Sequence, residues 1–215
     1  MKNSMKLFST AAFVLVAAMS LAQGRMQMRG GGMAMLLSRP DVQKELKLTS
    51  DQMGKLDEQR QAMRDSFRNL GGGGGGGNVD MEAVQKQFRE MAAKAEKEAL
   101  AVLDDGQKKR LKELWVQRSG NNVVSNEDIQ KELGLTDDQK AKVKSLVDAQ
   151  QAANMEIIQK ARNGEMDFQE LRPIMEKNSK TLGDELGKIL TSDQAAKLKA
   201  MRGAEFKFDE DTGGR

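Results

Sequence analysis

KELKLTSDQ at residues 44–52 and KELGLTDDQ at residues 131–139 are nearly the same nine letters written 87 positions apart. From Asp41 to Gln52 against Asp128 to Gln139, nine of twelve positions are identical. The same offset carries Val102 onto Ile189, Leu103 onto Leu190, Gln107 onto Gln194 and Leu111 onto Leu198 without a gap. A period of this size is a tandem duplication. Its units are residues 36–117 and 123–204, joined by a linker at 118–122 that is rich in turn formers.

Each unit carries a pentapeptide twice, 55 residues apart: LTSDQ from Leu48 and LDDGQ from Leu103, then LTDDQ from Leu135 and LTSDQ from Leu190. The pattern is a helix start. A Thr at the N-cap accepts a hydrogen bond from the third helical amide, and Gln at that third position reaches back to the cap N–H. The preceding Leu staples the entering chain to the core, and Asp51, Asp137, Asp138 and Asp193 suit the positive end of the helix dipole. Thr49 with Gln52, Thr136 with Gln139, Thr191 with Gln194 and the Asp104 variant with Gln107 are therefore expected to be joints between helices. Ser38 and Ser125, each three residues before an Asp, read as the same device one helix earlier.

Composition agrees with helix. Tyr is absent, Pro occurs twice, and Ala, Leu, Met, Lys, Glu and Gln dominate. Apolar residues recur at helical spacing in Met53, Leu56, Met63, Phe67 and Leu70, in Val84, Phe88, Met91, Ala95 and Ala99, and in the corresponding stretches of the second unit. The expected fold is all-α, each unit a short helix, two long ones and a shorter closing helix. Seven glycines from Gly71 to Gly77 place a loose hinge between the long helices of the first unit. The matching "IQKARNG" of the second unit has no such run, so its helix could continue, and Pro173 either begins or kinks the next one.

Residues 1–22 read as a secretory signal peptide, with Lys2 and Lys6 before an apolar run of about 15 residues, shorter than the ~20 that span a bilayer. Localisation is therefore expected to be periplasmic or secreted, with no stable membrane insertion. Removing that segment leaves 33 basic against 32 acidic residues, a balance that does not point to nucleic acid. Residues 23–35 read as a disordered leader rich in Met and Gly, and residues 205–215 as a disordered tail.

The chain has neither His nor Cys, so the usual general base, thiol nucleophile and imidazole metal ligand are missing, and no enzyme activity and no cofactor are expected. The glycine run lacks the Gly-Lys-Ser/Thr ending of a phosphate loop. Met26, Met28, Met33 and Met35 in "RMQMRGGGMAM" offer soft thioethers suited to Cu(I).

An export signal followed by Leu48-Thr49-Gln52, Leu135-Thr136-Gln139, Leu190-Thr191-Gln194 and the variant Leu103-Asp104-Gln107, in a small, charged, Met-rich chain, resembles the LTxxQ-motif family of periplasmic proteins, the Spy and CpxP group. The resemblance implies two Spy-like units forming a pseudo-dimeric helical cradle in one chain. It also implies ATP-independent chaperone activity toward unfolded polypeptides, or a role in envelope stress sensing through a signalling partner, with copper binding as one form of that alternative. On the chaperone reading, Met53, Met63, Phe67, Phe88 and Met91 would contact clients, and Lys55, Arg60, Arg64 and Arg68 would attract them. The methionines divide between this role and core packing.

Overall fold

The computed structural model describes residues 32–72 and 81–209. Among them are nine α-helices and no strand: α1 (Met33–Leu36), α2 (Pro40–Glu45), α3 (Ser50–Gly72), α4 (Met81–Ala101), α5 (Asp105–Ser119), α6 (Glu127–Leu133), α7 (Asp137–Arg162), α8 (Phe168–Ile189) and α9 (Ser192–Ala200). The all-α expectation holds, and the short, long, long, short order recurs in α2–α5 and α6–α9.

Local chemistry explains the boundaries. Capping boxes open α5, α7 and α9. Helix α6 closes on Gly134, whose φ of +68° places it in the left-handed region, with the Leu135 N–H returning to the Gln130 carbonyl. The first repeat makes the same closure with Lys47 at φ +51°, a conformation that a side chain disfavours. In the second repeat the helix does not run through the connection. Helix α7 stops at Arg162, Gly164 adopts φ +76°, and Asp167 caps α8. Pro173 lies inside α8 and withholds the N–H that would meet the Gln169 carbonyl.

Two apolar cores hold these helices, and their members correspond at the repeat offset. Leu36, Leu37, Val42, Leu46, Leu56 and Leu111 are buried in the first. Val123, Val124, Ile129, Leu133, Val143 and Leu198 take the matching places in the second. Helix α5 serves both, since Leu111 and Leu114 enter the first core, Val116 enters the second, and Trp115 packs against each. Burial of side chains like these contributes about 1.5–3 kcal/mol each. The exposed i,i+3 and i,i+4 ion pairs, such as Lys55 with Asp51, contribute far less, because water screens them.

Four local expectations need correction. Ser38 and Ser125 do not cap; their hydroxyls donate to the carbonyls of Met35 (2.7 Å) and Asn122 (2.8 Å). Asn126 caps α6 instead, and α2 follows Arg39 with Pro40 at its first position, where no N–H needs a partner. The segment read as a linker at 118–122 completes α5 and enters a 3-10 turn, Gly120–Ser125, that delivers Val123 and Val124 to the second core. The last residues of the segment read as a disordered leader are structured: Met33 begins α1, which seats Leu36 in the first core, and the Met33 N–H donates to Glu96 Oε1 (2.9 Å).

Residues 205–209, read as part of a disordered tail, have defined places. Residues 203–209 turn away after α9 at Gly203 (φ +60°) and cross the first repeat without regular structure, with Phe206 and Phe208 packed against its core. Arg39 and Asp41 receive the far end: Arg39 donates to the Asp209 carbonyl (2.8 Å) and the Asp209 N–H donates to Asp41 (2.8 Å). Arg39 also hydrogen-bonds Asp41 at 2.7 Å, which chiefly holds that carboxyl below its ordinary 3.8, the backbone donors Asp209 and Val42 adding to the effect against the opposing influence of burial. A carboxylate depressed on folding stabilises above its unfolded value and loses that contribution as pH falls through its folded value. The segment is therefore expected to loosen below about pH 3.8, and Asp41→Asn should remove that pH dependence. Hydrogen exchange of residues 203–209 between pH 6 and pH 3 measures it.

Candidate functional site

All four pentapeptides are helix joints. Thr49 Oγ1 accepts from the Gln52 N–H (3.2 Å) while Gln52 Oε1 accepts from the Thr49 N–H (3.0 Å). Thr136 with Gln139 and Thr191 with Gln194 repeat the exchange. Asp104 performs it through its carboxylate, accepting from the Gln107 N–H at 2.8 Å. The leucines before the caps face the cores: Leu103 and Leu135 are buried, and Leu48 and Leu190 are half-buried against them.

What the motif does beyond capping is join its two copies within a repeat. Gln52 Nε2 donates to Gln107 Oε1 (2.7 Å) and Gln107 Nε2 donates back to Gln52 Oε1 (3.1 Å), closing a paired-amide ring. Gln139 and Gln194 form the same ring at 2.7 and 3.0 Å. Each Nε2 also donates to a main-chain carbonyl: Gln52 to Val102, Gln107 to Leu46, Gln139 to Ile189 and Gln194 to Gly134. The cap N–H fixes which way each amide points, because only Oε1 can accept from it. Glutamate would complete a capping box equally well but has no N–H for the ring or the carbonyl. The recurring 55-residue spacing was the available sequence signal for this pairing.

Thr136→Ala and Thr49→Ala are each expected to lower stability by about 1 kcal/mol, with Ser nearly silent, because the hydroxyl is what the third amide needs. Urea unfolding measures both.

The expected contact residues spread along α3 and α4, which pack together as a first hairpin, as α7 and α8 do as a second. Met53, Met63 and Met91 are half-buried; Lys55 and Arg64 are exposed. Arg60 is a tie rather than a free charge, bonded to Asp57 (2.7 Å) and to the Leu37 carbonyl (2.8 Å). The side chains of Phe67, Arg68 and Phe88 lie outside the described residues, as do Met26 and Met28. Met33 packs against the first core, whereas Met35 is 66% exposed. No group of three or more acidic side chains placed to hold a metal occurs among the described residues.

Sequence reasoning overlooked two features. A cleft of about 400 Å³ opens between the repeats, its walls including Met33, Trp115, Ile129 and the Lys112–Glu132 ion pair. The hairpins are also thin. Among the described side chains from Asp57 to Glu98 none is buried, and from Lys144 to Glu185 only Ala161 and Gly183 are. Each core therefore sits at the base of its hairpin, beside the paired glutamines, while the apolar stripes farther out are only half-covered. No described helix is long and apolar enough to cross a membrane.

No protein-family model, curated protein or solved structure matches this chain.

Proposed function

We propose that the protein is an exported, ATP-independent holdase, built as two Spy-like units in one chain and related by an approximate twofold. The observation that carries this reading is the pair of thin hairpins. A helical layer ordinarily buries its apolar stripe against another layer. Here Ile157, Ile158, Leu171, Ile174 and Met175 remain half-exposed and Met155 is 40% exposed, on helices otherwise dense in charge. Such a surface offers many shallow apolar contacts through flexible side chains, which suits unfolded chains of varied sequence. Exposed cations such as Lys55 and Arg64 would draw clients in, so binding should weaken with salt without vanishing.

At a few-fold molar excess and without nucleotide, the mature protein is expected to suppress light scattering from an aggregating client. Replacing Met63, Met91 and Met155 together by Gln should reduce that suppression several-fold while helicity by circular dichroism stays unchanged. Absence of suppression by the folded protein refutes the reading. If the same sample instead binds Cu(I) tightly and loses that binding on deletion of residues 25–35, the metal-sensing alternative takes its place.

A further inference from the structure

The groove that holds residues 203–209 reads a polypeptide in a general way. Among the described residues, six hydrogen bonds join side chains of the first repeat to the main chain between Arg202 and Asp209. Gln117 Nε2 donates to the carbonyls of Arg202 (2.5 Å) and Ala204 (2.7 Å), and Gln117 Oε1 accepts from the Phe206 N–H (3.0 Å). Arg110 donates to the Ala204 carbonyl (2.9 Å), and Arg39 and Asp41 take the carbonyl and N–H of Asp209. Contacts of this kind give affinity for an extended backbone and leave side-chain preference to the apolar positions.

Those positions select aromatic rings. In an extended chain, residues two apart face the same way. Phe206 and Phe208 lie against the first core with ring centroids 5.0 Å apart in an edge-to-face pair. The guanidinium groups of Arg39 and Arg118 stand 5.6 and 5.3 Å from the Phe208 centroid, within cation–π range. Glu205, Lys207 and Asp209 are exposed. Both phenylalanines stay half-buried and the segment has no regular structure, so its contacts are those of a surface resident. The duplication did not require the groove either, since the repeat places Asn126, Lys197 and Ala204 where Arg39, Arg110 and Gln117 stand.

We propose that this groove is a binding site for extended polypeptide with aromatic residues at alternate positions, and that the chain's own residues 203–209 are its displaceable occupant. The site is separate from the hairpin surfaces on which the holdase reading rests, so each can fail alone. Its partner is an unfolded segment of the Phe-x-Phe kind, competing with the strap that residues 203–209 form.

The probe is a fluorescein-labelled peptide with the sequence of residues 203–209, followed by anisotropy against the full chain. The full chain carrying Phe206→Ser and Phe208→Ser should bind it at least tenfold more tightly than the wild type, whose groove is filled. Adding Gln117→Ala should weaken that binding several-fold, and a peptide with both phenylalanines replaced by serine should not bind. Equal affinity of the folded double variant and the wild type, or equal binding of the serine peptide, would overturn the proposal. Hydrogen exchange on the wild type gives a second test that needs no variant. The Phe206 and Asp209 amides should exchange through a local opening well before the amides of α5. Exchange of these amides only with global unfolding would make the segment a fixed part of the core and also overturn the proposal.

Discussion

Gln139→Glu is expected to destabilise the protein by about 2–4 kcal/mol at neutral pH, although the two side chains have the same shape. The carboxylate can still accept from the Thr136 N–H, so the cap survives. It cannot donate to the Ile189 carbonyl or to Gln194 Oε1, both of which Gln139 Nε2 serves at 2.9 and 2.7 Å. Turning the Gln194 amide over offers no escape, because its Oε1 is committed to the Thr191 N–H. The new carboxylate would face two oxygens in a part-buried site, which raises its pKa above the ~4.3 of an unfolded glutamate. A group raised on folding carries its penalty above the folded value, and the penalty shrinks as pH falls through that value toward ~4.3. Urea unfolding of wild type and variant at pH 7 and pH 4 measures both effects. If Gln139→Glu proves no more harmful than Thr136→Ala, the glutamine serves its own helix alone and the paired-amide joint is incidental.

Leu111→Ala and Leu198→Ala should each lower stability by about 2–5 kcal/mol, the range for emptying a leucine site in a packed core. The two positions correspond at the repeat offset; one is fully buried and the other 2% exposed. The informative part is the shape of the unfolding curve. Because Trp115 touches both cores and α5 contributes Val116 to the second, damage to either core should weaken the whole. Far-UV circular dichroism and Trp115 fluorescence should then report one shared transition for both variants. Two separate transitions would mean that the repeats unfold independently, with α5 as a tether and no common core element.

Helix class, cap positions, the repeat offset and the short, long, long, short order were legible in the sequence, because each depends on chemistry within one or two helical turns. The Thr136 cap and its Gln139 partner are three residues apart, and apolar spacing is a property of a single helix. Even the weaker copy at Asp104 follows the same local rule. The misplaced caps at Ser38 and Ser125 fell within this range too, where Asn126 outcompeted Ser125 because its carbonyl oxygen accepts from two amides, Asp128 (2.9 Å) and Ile129 (3.2 Å).

Only tertiary structure decided why the motif ends in Gln. The residues that meet Gln52 Nε2 lie 50 and 55 positions away, and no local preference separates Gln from Glu at the third position of a capping box. Residues 205–209 posed the same difficulty. Glu-Phe-Lys-Phe-Asp is too short and too charged to form a core of its own. Its backbone finds partners only because folding sets Gln117, Arg110, Arg39 and Asp41 along one groove, between 89 and 170 residues away for the bonds to Phe206 and Asp209. The sequence by itself thus determined that the chain is helical and where the helices opened by the four pentapeptides begin. The meeting of distant helix ends determined which polar groups were left to satisfy, and so assigned the glutamine pairs and the strap.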